Sequence, residues 1–516
     1  MGSRNASLPR ICIALGLGDV QKLLAHARQE LLAGETFLEF RLDYLPSPLD
    51  GVRAIAELLA SHPECTILAT CRRHQNHGRF NGSIEEQLRI LDAAVDAGAH
   101  AIDVEIESAE NAKTRMAELR QNTTVIISYH NYDGTPAMEP VLRRLAKIPA
   151  DGYKLVTTAR KPSDNEKVLA LSKSGSKTPL ILLAMGEIGF STRVLSVAQG
   201  CLYTYASPHA AEGTAAGQIG ARHLRNLYRF DKFTKAAKVF GVVADPVRHS
   251  ISPAVHNRAF QARRLDAVYL PFLVAPQQLK DFFALANALP VQGFSVTIPH
   301  KQKILRYLDH VDPLARRIGA VNTVWKKAGK WRGTNTDAQA VVKPLSKHLR
   351  LPKSKVLVVG NGGAARSAAF ALVDAGAQVS IVGRNPDRAR ALAKVCDGTP
   401  LLREHITRDT RFDALVHCTP LGMWPRVDET FFTDLVPADI VFDMVYNPLE
   451  TLLVQRAKDL KRQIIPGLEM FLEQACAQFE IFTGESAPRA AMEKAALEAL
   501  QTKREAAKAD TGIIKK

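Results

Sequence analysis

The first 230 residues alternate between short apolar runs and longer stretches with helical periodicity. The apolar, β-branched runs are ICIALG, TFLEFRLD, CTILATCR, AIDVEIE, TTVIISYHN, GYKLVTTA, PLILLAMGE and CLYTYAS. Most neighbouring runs are separated by a stretch such as DVQKLLAHARQELLAG, in which apolar residues recur at helical spacing. Eight strand–helix units in about 230 residues predict a (β/α)8 TIM barrel over residues 10–230 rather than an open doubly wound sheet.

A different pattern follows a short linker, which we place near residues 230–237. The run KVFGVVAD opens the second half as a strand, and we expect it to belong to a separate α/β layer. The segment KVLVVGNGGAARSAAFALVDAG has the pattern of a strand, a tight turn and a helix, and QVSIVGRN that of the next strand. Together these two segments predict a βαβ unit of the Rossmann type.

Composition narrows the class of protein. The 516 residues are 46% hydrophobic and 23% charged, as in a soluble globular protein of several domains, and no apolar run reaches the roughly 18 residues that cross a bilayer. The net charge of +16 comes without interleaved aromatic and basic residues, which favours anionic metabolites over nucleic acid as ligands. Seven scattered cysteines without a CxxC pair argue against disulfides and a zinc site and predict a cytoplasmic protein.

One lysine is unusual because it lies within a predicted buried strand, DGYKLVTT. Lys154 shares a strand face with Val156, and a lysine is rarely buried unless it is paired. Burial and neighbouring cations would lower its pKa, so that the free amine could attack a ketone and form a Schiff base. His130, on the preceding strand, could then remove a proton from the adjacent carbon. Taken singly, the lysine could be an edge residue and the histidine a core residue.

Other polar residues fall where the predicted strands end. Since barrel enzymes place their reactive groups at the carboxyl ends of the strands, we expect these side chains to converge on one site. They are Glu39, Arg41 and Asp43 at strand two, Arg72 at strand three, Arg193 after strand seven and Gln218 after strand eight. Carboxylate and guanidinium groups together would suit a polyhydroxylated acid.

These segments resemble the type I 3-dehydroquinate dehydratases over most of residues 10–230, in EFRLD, ATCR, SYHNYDGTP, YKLV, GFSTR and AAGQI. The resemblance implies that Lys154 forms an imine with the substrate and that His130 is the general acid and base. It also implies that the substrate is held by Glu39, Arg41, Arg72, Arg193, Thr214 and Gln218. Two positions depart from the family pattern: Asn76 replaces a glutamate that assists the histidine, and Thr214 replaces a common serine.

A glycine-rich turn in the second half predicts a dinucleotide site. In VVGNGGAAR, Gly360, Gly362 and Ala365 fit G-x-G-x-x-G/A between a strand and a helix whose N-terminus can bind a pyrophosphate. The next strand ends in IVGRNPDRAR, which lacks the acid that binds the ribose of NAD and offers arginines for a 2′-phosphate. We therefore expect NADP, bound by Gly360, Gly362, Gly363, Ala364, Ala365, Arg384, Asn385, Arg388 and Gly467.

The second half resembles shikimate dehydrogenase over about residues 238–500, in DPVRHSISPAVHN, GFSVTIPHK, GAVNTV, GTNTD, CTPLGM, DMVYNP and GLEMFLEQA. The resemblance implies that Lys301 and Asp337 form a catalytic dyad that passes a proton to a carbonyl oxygen as hydride arrives. The substrate pocket would be lined by Ser250, Ser252, Thr297, Asn322, Tyr446 and Gln474. A substrate domain over 238–342 and 473–502 and an NADP-binding Rossmann domain over 343–472 would enclose the cleft.

The two resemblances share one metabolite, because the product of the dehydratase, 3-dehydroshikimate, is the substrate of the dehydrogenase. A bifunctional shikimate-pathway enzyme that binds small molecules, without nucleic acid or membrane, is the most economical interpretation, and direct transfer of the intermediate is a hypothesis. Two alternatives are a dehydrogenase that prefers quinate and a degenerate sensor that binds pathway acids without turnover. Ser250, Ser252 and Thr451 favour shikimate mildly, and the four intact catalytic residues disfavour the sensor. The sequence does not indicate an oligomeric state.

Overall fold

The computed structural model describes residues 8–208, 214, 217–230, 232–424, 426–433 and 435–513. These residues fall into two compact units. The first comprises the residues up to Lys238 together with Pro271–Pro290, and the second comprises Val239–Leu270 and the residues from Val291 onward. Within the described ranges, no helix is both long enough and apolar enough to span a membrane.

Eight parallel strands form the sheet of the first unit. They are β1 (Ile11–Leu15), β2 (Phe37–Arg41), β3 (Thr66–Thr70), β4 (Ala101–Glu105), β5 (Thr124–His130), β6 (Gly152–Thr158), β7 (Leu180–Met185) and β8 (Thr204–Ala206). The spatial order is β7-β6-β5-β4-β3-β2-β1-β8. Leu202 N, just before β8, donates to Leu180 O of β7 at 2.9 Å, so the sheet nearly closes on itself. The predicted eight-stranded barrel is thereby confirmed.

Helices alternate with these strands, as the periodicity predicted. They are α1 (Val20–Leu32), α2 (Pro48–Ser61), α3 (Ile84–Asp96), α4 (Ile106–Glu110), α5 (Lys113–Leu119), α6 (Met138–Leu145), α7 (Asp164–Ala170), α8 (Phe190–Ala198) and α9 (Ala221–Asn226), with 3-10 turns at Leu42–Tyr44, His74–Asn76 and Leu171–Lys173. The capping box of Ser83 and Glu86 begins α3, because each side chain bonds the other residue's backbone N–H.

The interior of the barrel is apolar at one level and polar at the next. Phe37, Leu68 and Ile126 belong to one buried cluster with Tyr203 and Tyr205. Because side chains alternate along a strand, residues two positions further on point into the same interior. Those positions hold Glu39, Thr70 and Ser128, all of them buried. The barrel interior thus contains an apolar layer of side chains and, next to it, a polar layer.

The second unit contains a mixed sheet and a parallel sheet. The mixed sheet has the order β10-β9-β11-β13-β14-β12. Its strands are β9 (Lys238–Ala244), β10 (Ala267–Leu273), β11 (Val291–Val296), β12 (His310–Val311), β13 (Thr323–Lys327) and β14 (Lys330–Thr334). The helices along this stretch are α10 (Ser252–Ala262), α11 (Leu279–Ala288), α12 (Pro313–Ile318) and α13 (Asp337–Leu345), with a 3-10 turn at Lys303–Tyr307. Of these, α11 lies in the segment that belongs to the first unit.

The parallel sheet has the order β17-β16-β15-β18-β19-β20. Its strands are β15 (Lys355–Val359), β16 (Gln378–Val382), β17 (Thr399–Pro400), β18 (Phe412–His417), β19 (Ala438–Asp443) and β20 (Gln463–Ile465). Its helices are α14 (Gly363–Asp374), α15 (Pro386–Cys396) and α16 (Leu452–Asp459), followed by α17 (Gly467–Thr483) and α18 (Arg489–Ile513), with a 3-10 turn at Arg403–His405. Strand order reverses between β15 and β18, and in open α/β sheets ligands bind at such a switch point. The predicted Rossmann-type unit is confirmed.

We expect Phe37→Ala to lower the free energy of unfolding of the barrel by about 3–5 kcal/mol, because it leaves a cavity. Phe37 is 1% exposed and its ring meets that of Tyr203 edge-on, with 5.1 Å between centroids. Native-state hydrogen exchange of the barrel strands measures this change within the first unit. Leu32→Ala is the control, because Leu32 is 88% exposed. Equal protection in the two variants would contradict the prediction.

Candidate active sites

Lys154 lies inside the barrel and is 3% exposed. Its Nζ donates to Asp103 Oδ2 at 2.8 Å and to the Tyr205 hydroxyl at 2.7 Å, and it lies 3.9 Å from Glu39 Oε1. Arg72, a cation of the kind that the sequence argument expected, shares the Asp103 carboxylate with Lys154, but the charged groups nearest to the amine are carboxylates. The physical reason is that a buried ammonium group needs a counter-charge.

Asp103 connects the groups around Lys154, and the sequence analysis missed it. Its carboxylate accepts hydrogen bonds from Lys154, from Ser128 Oγ at 2.6 Å and from Arg72 Nη2 at 3.4 Å. Burial alone would raise the pKa of Asp103, but Lys154, Arg72 and these hydrogen bonds together lower it. The signal was present in AIDVEIE, where Asp103 and Glu105 alternate on one face of an otherwise apolar strand.

The predicted substrate ligands Glu39, Arg41 and Arg72 are buried in the same unit. Glu39 Oε1 accepts a hydrogen bond from Thr70 Oγ1 at 2.7 Å. Arg41 is held by a bidentate pair with Asp43, at 2.9 and 2.8 Å. Arg72 Nε is buried without a hydrogen-bond partner among the described residues. A buried donor of this kind needs a partner, and a substrate carboxylate would supply one.

His130 borders a cavity of about 120 Å³. The cavity is lined by Gln75, Asn76, His77, Glu105, Glu107, Ser128, His130 and Tyr132. Burial is the main cause that lowers the pKa of His130 well below its usual value, and the charges of Arg72, Lys154, Arg41 and His77 lower it further. The imidazole is therefore neutral at neutral pH and able to accept a proton.

Asn76, which replaces the family's glutamate, ends the 3-10 turn before His77. Its Nδ2 donates to Glu107 Oε2 at 2.8 Å. Glu105 accepts from Arg73 N at 2.8 Å and from a glutamine on α3, and burial raises its pKa. The carboxyl groups of Glu105 and Glu107 therefore line the cavity beside His130. This side of the cavity contains acidic residues although residue 76 itself is neutral.

The remaining predicted ligands of the first site lie after β7 and β8. Arg193 is in the first turn of α8, and burial lowers its pKa to about 10. Thr214 lies near β1, because a Cβ on Gly16 would meet its Cγ2 at 2.8 Å. Gln218 follows β8 and is half-buried. The roles of these three residues as substrate ligands stay predictions.

The second unit brings the predicted dyad together. Lys301 Nζ donates to Asp337 Oδ2 at 2.6 Å. Asn322 Nδ2 donates to the other carboxylate oxygen at 2.7 Å, so the Asp337 carboxylate is held from two sides. A Cβ on Gly363 would lie 3.2 Å from the Lys301 side chain, which places the dyad beside the glycine turn.

The other predicted pocket residues lie at the start of α10, just after β11 and β19, and within α17. Ser252 N donates to Ser250 Oγ at 3.2 Å, and Thr297 N donates to Val243 O at 3.2 Å. Burial raises the pKa of Tyr446 to about 12. The backbone oxygen of Gln474 accepts from Thr336 Oγ1 at 3.4 Å, and Thr336 Oγ1 in turn accepts from Asn322 Nδ2 at 2.9 Å.

A buried polar network of Ser295, Tyr269 and Gln478 supports the mixed sheet. Ser295 Oγ accepts from the Tyr269 hydroxyl and donates to Gln478 Oε1, both at 2.6 Å. His256 stacks on the Tyr269 ring with centroids 4.3 Å apart, and burial lowers its pKa to about 3. Both Ser295 and His256 therefore contribute to packing.

The glycine turn after β15 fits an adenine dinucleotide. Gly360 has φ +128°, a conformation that favours glycine, and a Cβ there would lie 3.2 Å from Cys418 O. A Cβ on Gly362, the N-cap of α14, would meet nothing within 4 Å, so the backbone faces open space that a pyrophosphate can approach. Ala364 is half-buried and Ala365 is buried in the helix behind the turn.

The predicted phosphate ligands follow β16. Arg384, Asn385 and Arg388 are exposed. Asn385 Oδ1 accepts from Arg388 N at 3.0 Å and so begins α15. Gly467 begins α17, and a Cβ there would lie 2.4 Å from Val445 O, so the helix and the end of β19 need a glycine at this position.

Four family models match the chain. Type I 3-dehydroquinase matches residues 11–235, and the shikimate dehydrogenase substrate binding domain matches residues 242–324. Shikimate / quinate 5-dehydrogenase matches residues 343–420, and the shikimate 5′-dehydrogenase C-terminal domain matches residues 467–497. The matches therefore cover parts of both units.

Some relatives match nearly the whole chain, and others match about half of it. The chain is 33% identical over 512 residues to the chloroplastic bifunctional 3-dehydroquinate dehydratase/shikimate dehydrogenase of Arabidopsis thaliana, covering 94% of this chain and 83% of that protein. It is 42% identical over 281 residues to the shikimate dehydrogenase (NADP(+)) of Methanosarcina acetivorans, covering 51% of this chain and 99% of that protein. A crystal structure of shikimate 5-dehydrogenase from Thermus thermophilus with NADP(H) and shikimate matches 51% of this chain and 99% of its own, with 34% identity and a TM-score of 0.48.

We expect His130 to stay neutral to well below pH 6.5, the usual midpoint of a histidine. Since the unfolded chain binds this proton first, the contribution of His130 to stability is complete above pH 6.5 and is lost as pH falls toward its folded pKa. Carbon NMR of ring-labelled histidine measures the titration, and His130→Gln identifies the resonance by its loss. A midpoint at or above pH 6.5 would contradict the prediction.

Proposed function

The chain belongs to the family of bifunctional 3-dehydroquinate dehydratase/shikimate dehydrogenase enzymes, and we propose that Lys154 and Lys301 are the lysines at which its two reactions take place. The first reaction removes water from 3-dehydroquinate and gives 3-dehydroshikimate. The second reduces 3-dehydroshikimate to shikimate with NADPH. The enzyme is thus a lyase and an oxidoreductase of the shikimate pathway.

The dehydration rests on the buried pair of Lys154 and Asp103 beside a neutral His130. Asp103 and Tyr205 hold Nζ in place, and once Nζ has lost its proton it attacks the substrate ketone and expels one water to form an iminium ion. His130 then takes a proton from the adjacent carbon and returns it to the leaving hydroxyl group, which departs as water. Hydrolysis of the imine consumes one water, releases the product and restores the amine.

The other polar groups of the barrel bind the substrate. Arg72, with its unsatisfied Nε, would pair with the substrate carboxylate. We assign the hydroxyl groups of the substrate to the remaining predicted ligands, Glu39, Arg41, Arg193, Thr214 and Gln218. Since Asp43 already holds Arg41 by two hydrogen bonds, the Arg41 guanidinium is rigid before the substrate arrives.

In the second reaction the dyad supplies a proton. NADPH, when bound, supplies the hydride to the carbonyl carbon. Lys301 donates a proton to the carbonyl oxygen, while Asp337 orients the Lys301 ammonium group and Asn322 fixes Asp337. Ser250, Ser252, Thr297, Tyr446 and Gln474 would complete the substrate pocket.

NADP fits the residues after β15 and β16. The open backbone at Gly362 and the N-terminus of α14 suit the pyrophosphate, and the exposed Arg384 and Arg388 suit the 2′-phosphate. Asp387, the acidic residue between these arginines, is paired with Arg390 at 2.8 Å. The Methanosarcina acetivorans relative is named as NADP(+)-dependent.

The finer assignments are also proposals. We place the dehydratase at 10–230, the substrate domain at 238–342 and 473–502, and the NADP domain at 343–472. All seven cysteines are free, which supports the expected cytoplasmic location, whereas the Arabidopsis relative is named chloroplastic. The quinate alternative has one supporting observation, the family model described for shikimate and quinate over 343–420, and steady-state rates with both acids separate the two substrates.

We expect Lys154→Ala to lower the turnover of 3-dehydroquinate by about 10³-fold or more, because the imine cannot form. The same variant should reduce 3-dehydroshikimate at the wild-type rate. Asp337→Asn is the reciprocal control and should show the opposite pattern. Formation of 3-dehydroshikimate from 3-dehydroquinate, followed by the ultraviolet absorbance of its conjugated enone, measures the first rate without using the second site. NADPH oxidation with 3-dehydroshikimate measures the second rate, and borohydride with 3-dehydroquinate should label wild-type Lys154 alone. Loss of both activities in Lys154→Ala, or an adduct on that variant, would overturn the assignment.

We expect Arg384→Ala and Arg388→Ala each to raise KM for NADP⁺ about tenfold or more and to leave KM for NAD⁺ unchanged, because each removes a charged partner of the 2′-phosphate. Arg390→Ala is the matched control, since Arg390 is an exposed arginine of the same helix that is paired with Asp387. Initial rates with shikimate and each nucleotide measure these constants. Equal increases for both nucleotides would contradict a role in 2′-phosphate binding.

A further inference from the structure

Four side chains form a continuous hydrogen-bonded chain at the carboxyl ends of β18 and β19. Thr451 Oγ1 donates to Asp443 Oδ2 at 2.5 Å, and His417 Nδ1 lies 2.8 Å from Asp443 Oδ1. His417 Nε2 lies 2.5 Å from Thr419 Oγ1. None of the catalytic or cofactor roles assigned above uses these side chains.

The hydrogen-bond partners of Asp443 determine which nitrogen of His417 must carry a proton. Asp443 is fully buried, and its carboxylate also accepts from Val445 N at 3.1 Å, so it acts only as an acceptor. Nδ1 of His417 therefore carries a proton and donates to Asp443 Oδ1, while Nε2 bonds the Thr419 hydroxyl group. Thr419 Oγ1 in turn accepts from Leu421 N at 3.2 Å.

The hydrogen-bonded chain of these four side chains ends at the crevice between β15 and β18, where the strand order reverses. His417 is the last residue of β18, which neighbours β15 at the switch point. A Cβ on Gly360 would lie 3.4 Å from Thr419 Cγ2, so Thr419 packs against the glycine turn. We call Thr419–Gly422 the crevice loop, because it borders this turn.

The crevice loop approaches both ends of this hydrogen-bonded chain. His417 bonds its first residue, Thr419. A Cβ on Gly422, its last residue, would lie 3.1 Å from the Cβ of Thr451, the residue at the other end of the chain. Gly422 has φ +80°, which favours glycine, so this close approach is built into the backbone.

We propose that His417 is a positioning residue for the nicotinamide nucleotide, acting through Thr419 to keep the crevice loop formed against the glycine turn. The proposal rests on the dehydrogenase function proposed above. A preformed loop removes the entropic cost of ordering it when the nucleotide binds, so its loss weakens nucleotide binding rather than the chemical step. A purely structural role, in which His417 only joins β18 to β19, predicts no such selectivity.

Three variants separate the two roles. His417→Asn keeps a side-chain amide near the position of Nδ1, so it can still meet Asp443, but it cannot reach Thr419. Thr419→Val keeps the shape of the side chain and replaces the hydroxyl group with a methyl group, which cannot hydrogen-bond His417. Thr419→Ser restores the hydroxyl group and is the conservative control.

The experiment is calorimetric titration of the full chain with NADP⁺ in the absence of shikimate, followed by steady-state kinetics. We expect His417→Asn and Thr419→Val to raise Kd and KM for NADP⁺ about tenfold, which corresponds to the loss of a buried hydrogen bond. KM for shikimate and the turnover of 3-dehydroquinate should stay at wild-type values, and Thr419→Ser should bind NADP⁺ as the wild type does.

Wild-type affinity of Thr419→Val for NADP⁺, or an equal rise in KM for shikimate, would overturn the positioning role. Thr419→Val carries this test alone if His417→Asn does not fold. Failure of the wild-type chain to bind NADP⁺ at all would instead overturn the proposed dehydrogenase function. The two failures are therefore distinguishable.

Discussion

An ammonium group inside a barrel requires a negative charge next to it, and much of the first site follows from this requirement. Asp103 provides that charge for Lys154, and its remaining oxygen is shared by Ser128 and Arg72. Three neighbouring strands and the segment after β3 thus contribute to one electrostatic arrangement. The same positive groups, together with burial, keep the nearby His130 ring neutral.

In the function proposed above, the second site uses the same pair of residue types for the opposite purpose. Lys301 is paired with Asp337 as Lys154 is with Asp103, but the Lys301 side chain is 16% exposed and that of Lys154 is 4% exposed. A nucleophilic amine must lose its proton before it reacts, whereas a proton donor must carry one. Each lysine is held by an aspartate, so the proposed difference in their chemistry must come from the rest of the surroundings. These are a polar barrel interior for Lys154 and the neighbourhood of the glycine turn for Lys301.

The features that could be predicted from the sequence are those coded by local patterns. Alternating apolar residues predicted the strands, and the glycine turn at Gly360 was recognised because its residues are adjacent in the chain. Asp103 was missed because it pairs with Lys154, which is 51 positions away in the sequence and two strands away in the sheet. Likewise, the pairing of His417 with Asp443 depends on the register of β18 and β19, in which these two residues lie directly opposite each other. Register of this kind arises from tertiary packing, so a single sequence does not reveal it.

The tight contact at Gly467 has a consequence for how the second site tolerates change. This residue begins α17, and Gln474, seven positions further on and assigned above to the proposed substrate pocket, lies about 10 Å along the same axis. A methyl group at position 467 would lie 2.4 Å from Val445 O and 2.7 Å from Asp443 O, so the start of α17 and the end of β19 would have to move apart. Through this one helix, the backbone position that the glycine allows on the proposed nucleotide side also sets the position of Gln474 on the proposed substrate side.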